Sequence, residues 1–141
     1  MIHMVKLCVG ISSFEELESY RDQRARWWGA DYGEDVHVHR TRMMPKRAAE
    51  MEGFSSIYWV IGGQIVCRQP ILRLAPYKDA EGKDYCDIIM APDLTRTIPY
   101  PKRPFQGWRY LKPEDAPPDM AANDSGNSHE LAAELAKLGL L

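Results

Sequence analysis

Residues 57–74 read Ile57-Tyr-Trp-Val-Ile-Gly-Gly-Gln-Ile-Val-Cys-Arg-Gln-Pro-Ile-Leu-Arg-Leu74, two β-branched and aromatic runs on either side of Gly62-Gly63. Two adjacent glycines reach positive φ without a Cβ clash, so the stretch predicts a tight hairpin at the heart of a sheet. With the glycines as the two loop residues, Ile61 faces Gln64, Trp59 faces Val66 and Ile57 faces Arg68 on one side of the pleat. Tyr58, Val60, Ile65 and Cys67 then share the other side. Pro70 has no amide hydrogen, which predicts that the second strand changes direction or partner there.

Outward from this hairpin, the chain of 141 residues is long enough for one α+β domain with a core that needs no disulfide or metal. We expect that domain over residues 1–120, a polar, mobile linker over 121–127 and a helix within 128–141 on a Leu131, Leu135 and Leu138 stripe. No apolar run approaches the ~20 residues of a membrane span. His3 and Lys6 interrupt the apolar opening, so it predicts a first strand of a cytoplasmic protein rather than a signal peptide. Cys8, Cys67 and Cys86 each lie in a strand-like apolar run without metal-ligand spacing, as buried reduced thiols do.

The net charge of -2 conceals a segregation of sign. From Val36 to Ala75 six bases stand against two acids, and from Leu94 to Lys112 five bases stand against none. The pattern suggests a basic face.

Ser13 with Glu16 three residues on forms a capping box, and Phe14, Leu17, Tyr20, Arg24, Trp27 and Trp28 continue a helical stripe that Gly29 ends. The two tryptophans read as packing anchors. Val36 to Arg42 alternates as a half-buried strand, placing His37 and His39 on one face at a metal-ligand spacing. No third ligand repeats that spacing nearby, so neither metal nor other cofactor is expected. Pro45 opens a short helix, Lys46 to Met51, whose basic start opposes the helix dipole and would suit an anion. Tyr85 to Met90 predicts a returning strand, and a meander is the simplest topology. The prolines at 92, 99, 101 and 104 predict an extended, stiff loop, and Phe105 to Leu111 a last strand with Trp108 and Tyr110 on one side and Arg109 on the other.

Thr41-Arg-Met-Met-Pro-Lys-Arg47, Ser56 to Ile61, Arg68-Gln-Pro-Ile-Leu72 and Phe105 to Pro117 together resemble a bacterial family, domain of unknown function 1489, over nearly the whole chain. That resemblance implies no activity. A short helix followed by the central hairpin is similar in order to the PUA-like domains, including the ASCH and EVE branches. This second resemblance implies a pseudo-barrel that binds RNA or a modified base. The expected fold is thus a small, curved, mostly antiparallel sheet, or such a pseudo-barrel, flanked by short helices.

RNA or nucleotide binding through a basic, aromatic-lined face is the leading functional expectation, because phosphates call for cations and unstacked bases for flat surfaces. Its residues are Arg42, Lys46, Arg47, Trp59, Arg68, Arg96, Lys102, Arg103, Trp108 and Arg109, with core packing the stronger reading of the tryptophans. One alternative is a small-molecule enzyme with a pocket near His37, His39 and Arg68, to which Arg42 and Arg109 would contribute. No nucleophile elbow, phosphate loop or dinucleotide fingerprint supports it, so no catalytic residue is assigned. Another is an interaction module without chemistry, using the last helix and the proline-rich segment.

Overall fold

The glycine hairpin is the pair from which the sheet grows in both directions. The structure is a computed structural model that describes residues 1–20, 36–53, 55–103 and 105–120. These residues form seven strands, β1 (His3–Leu7), β2 (His37–Thr41), β3 (Ser56–Ile61), β4 (Gln64–Lys78), β5 (Asp84–Met90), β6 (Thr95–Pro101) and β7 (Trp108–Leu111). Gly62 and Gly63 sit at φ 61° and 81°, and Ile61 stands opposite Gln64. A side chain at either glycine would be disfavoured by roughly 1–2 kcal/mol.

Beyond the turn the register departs from simple alternation. A bulge between Trp59 and Val60 pairs Trp59 with Cys67, Tyr58 with Arg68 and Ile57 with Gln69. Val66 is the extra residue, and both Val66 and Cys67 pack into the cluster that holds Trp59. One inserted residue inverts every later side chain. Cys67 is therefore on the Trp59 side, and Arg68 is carried to the Tyr58 side.

At Pro70 β4 does change partner, as its missing donor predicts. Residues before it pair with β3 on one edge and β6 on the other, and residues after it pair with β5. Ile71 exchanges backbone hydrogen bonds with Gly53 and Ser55 on the β3 side, whereas Pro70 O accepts from Ala91 N–H on the other. Strands β5 and β6 therefore follow one another along one edge of β4. The proline-rich segment is thus largely a strand, not the expected irregular loop. The prolines are tolerated because β6 is a short, bulged flank of β4, where a missing amide breaks few ladder bonds.

The topology is not a meander. The order is β2-β5-β4-β3-β1-β7 with β6 beside β4; β1 runs parallel to β3, and all other named pairs are antiparallel. The two ends of this order, β2 and β7, do not pair with each other, so the mixed sheet is open rather than closed into a pseudo-barrel. It is nevertheless strongly curved. The His39 ring on β2 lies 6.0 Å from the Trp59 ring on β3, although β5 and β4 intervene in the sheet.

The concave side carries Met4, Ile57, Trp59, Cys67, Ile71, Ile88 and Met90 and is covered by Phe14, Leu17 and Met51. The helix over residues 14–20 begins at its expected cap: Ser13 Oγ accepts the Glu16 N–H at 3.1 Å. The returning Glu16 carboxylate takes the N–H and Oγ–H of Ser12, one residue earlier than a standard box. The opposite side of the sheet holds a smaller cluster of Val5, Tyr58, Val60, Ile65 and Leu111. The expected helix at Lys46 is only a 3-10 turn, Ala48–Glu50. The expectations for Arg24, Trp27, Trp28 and Gly29, and for the linker and last helix, lie outside the described residues. No helix among the described residues is long and apolar enough to cross a membrane.

Candidate functional site

Strand parity places Lys6 on the concave side. Its Cα is paired with Trp59 on one flank and Trp108 on the other, and Met4 and Cys8 share its side of β1. A lysine there cannot reach open solvent as directly as one on an exposed strand face, and burial lowers its pKa from 10.5, partly offset by Cys8. Among the described residues the Lys6 ammonium has no ion pair or hydrogen bond.

Lys6 lines a cavity of about 510 Å³ between β1, β2 and the start of the helix. Its walls include Leu7, Cys8, Ile11, Leu17, Val38 and Trp59, with Glu16, Tyr20, His37 and His39 as the further polar groups. His37 is buried with its ring 6.2 Å from that of Tyr20, and His39 meets Trp59 edge to face. The two imidazoles project to one side as the alternation predicts. Among the described residues no group of three His, Cys, Asp or Glu side chains is placed to hold a metal ion.

The residues expected to form a basic, aromatic face do not converge. Trp59 is 2% exposed, its Nε1–H donating to Gln69 Oε1 at 3.2 Å, so its ring is core and not a stacking surface. Arg68, inverted by the bulge, grips Asp119 with two bonds of 2.7 and 2.8 Å and donates a third to Ser56 Oγ. It therefore lies away from the His37 and His39 pocket. Arg47 is held by Glu50 through two 2.6 Å bonds, and Arg96 reaches Glu15 at 2.5 Å while its guanidinium covers the Phe14 ring. Arg109 donates to Gln106 O and Trp108 O on the side opposite the half-buried Trp108. Arg42, Lys46 and Arg103 are exposed, Lys102 half-buried. Three of the ten residues are thus engaged by carboxylates, and one is in the core.

Lys6 was missed as a site residue because it reads in sequence as an interruption of an apolar strand. The available signal was its parity with Met4 and Cys8, which puts a cation at a core-facing position.

Beside Arg68, His3 accepts the Ser56 N–H at Nδ1 (3.1 Å) and packs edge-on to Tyr58. Burial and then the Arg68 charge lower its pKa from 6.5. The unfolded chain binds the proton more tightly, so stability is full above pH 6.5 and falls as pH drops from 6.5 through the lower folded value. His3→Gln should flatten that acid limb in a pH series of urea denaturations.

No curated protein and no solved structure matches the chain. The sequence profile of a family described as a protein of unknown function, DUF1489, matches residues 4–141. That span takes in every strand from Met4 onward and the whole pocket wall, and the chain belongs to that family.

Proposed function

We propose that the protein binds a small anionic molecule in the concave pocket, with the Lys6 ammonium as its charge anchor and His37 and His39 as hydrogen-bonding partners. The observation that carries this reading is a half-buried cation, without a partner among the described residues, in a cavity with largely apolar walls. A charge withdrawn from water without a partner is unfavourable, and an anion entering the pocket would relieve that penalty. The volume admits a ligand the size of a nucleotide or smaller, which retains part of the nucleotide expectation while moving it away from Arg68.

Lys6→Met decides the matter because wild type and variant should differ twice. At neutral pH the folded Lys6 penalty is fully present, being relieved only as pH rises through its folded pKa toward 10.5. The variant should therefore be at least as stable as wild type without ligand. In thermal melts with inorganic phosphate, acetate or adenosine 5′-monophosphate, at least one anion should raise the wild-type Tm and leave the variant unmoved. Equal shifts in both proteins, or a variant clearly less stable than wild type, would overturn the proposal.

RNA binding through the ten residues first expected has weaker support, since they are dispersed and the sheet is open. It gains a different foothold from the far end of β4 and β5.

A further inference from the structure

Where β4 and β5 extend past the body of the sheet, their convex side bears a row of planar groups. Tyr77 is paired with Tyr85 across the two strands, with ring centroids 6.4 Å apart. Arg40 on the adjoining β2 lays its guanidinium 3.5 Å from the Tyr77 ring centroid, and Arg42 stands 5.5 Å from the Tyr85 ring. Arg40 lies within β2, and Arg42 follows one residue past its end, close enough for its guanidinium to meet the Tyr85 ring.

This row is held in place before any ligand arrives. Asp87 takes Arg40 Nε at 2.6 Å and Nη2 at 3.0 Å, so the guanidinium plane over Tyr77 is fixed at its edge as well as its face. Tyr77 still keeps 40% of its surface exposed. Arg42 is exposed and forms no ion pair among the described residues. The acids on this part of β4 and β5 are engaged in turn: Asp87 by Arg40, Asp84 by Lys78 at 3.4 Å, and Asp79 by the Glu81 and Lys83 amides of the hairpin tip. Glu81 itself is exposed there beside Lys83.

We propose that this convex end of the β2-β5-β4 ribbon binds single-stranded nucleic acid, Tyr77 and Tyr85 stacking bases and Arg42 meeting a phosphate. Every base presents a flat face, so such a surface is tolerant of sequence, and preorganised rings lose little entropy on binding. A duplex keeps its bases stacked on each other and offers this row nothing. The site shares no residue with the concave pocket, so either can fail alone.

Fluorescence anisotropy with a labelled oligoadenylate of about eight nucleotides tests it. Wild type should bind the single strand and not the corresponding duplex. Tyr77→Ala should weaken binding about tenfold, Tyr77→Phe should retain it, and Tyr100→Ala, an exposed tyrosine on β6, should change nothing. Arg42→Ala should reduce the slope of log affinity against log salt by about 0.7, the single-strand value for one phosphate. Melting curves establish that each variant is folded. Equal affinity for duplex, no binding at low salt, or equal behaviour of the Tyr77→Ala and Tyr100→Ala proteins would overturn the assignment.

Discussion

Trp59→Ala is expected to destabilise the protein by about 3–5 kcal/mol, the cost of emptying a large buried aromatic site. Trp59 packs on the concave side among Ile57, Cys67 and Ile71, and its indole N–H satisfies Gln69, whose own amide donates to Ala91 O at 2.8 Å. The substitution therefore leaves both a cavity and a buried acceptor without its donor. Urea denaturation should show the loss as a lower midpoint, and Trp59→Phe should recover most of the packing without the hydrogen bond. A change under about 1 kcal/mol would place the indole at the surface, where a base could stack on it.

Arg40→Met should be the other large effect, about 3 kcal/mol, because it strips a bidentate partner from a carboxylate inside the sheet. The Asp87 side chain is 2% exposed while that of Arg40 is 38% exposed, so the penalty falls on the anion left behind. Loss of the guanidinium from the Tyr77 face adds a smaller part. The double variant Arg40→Met, Asp87→Leu should recover most of the stability, since a buried pair is seldom more stabilising than apolar groups of similar shape. Equal destabilisation in single and double variants would show that Asp87 does not depend on Arg40.

Local chemistry made some of this legible in the sequence. Gly62-Gly63 announced a turn because few other pairs reach positive φ twice, and Pro70 announced a change of partner because it cannot donate. The Ser13 cap and the alternation of His37 with His39 were equally local. The bulge at Val66 was not legible, because Ile65, Val66 and Cys67 are all apolar and both sides of the sheet are buried there. With no polar residue to mark the parity, the inversion of Arg68 had no signal, and Arg68 was misplaced beside Trp59. The parallel pairing of β1 with β3 joins segments far apart in the chain, which hydrophobic pattern alone cannot match. Cation partners posed the same difficulty: Asp119 is 51 residues from Arg68 and Glu15 is 81 from Arg96. Prolines in β6 misled for the reverse reason, since their local veto on regular structure is relaxed on a bulged flanking strand.

The pH titration of the lysine Cε resonances by NMR, with and without inorganic phosphate and adenosine 5′-monophosphate, tests the pocket most directly. The account predicts that one lysine, identified by its absence in Lys6→Met, titrates below the others and shifts upward when an anion is added. Lys6 titrating together with the surface lysines, indifferent to both anions, would contradict it.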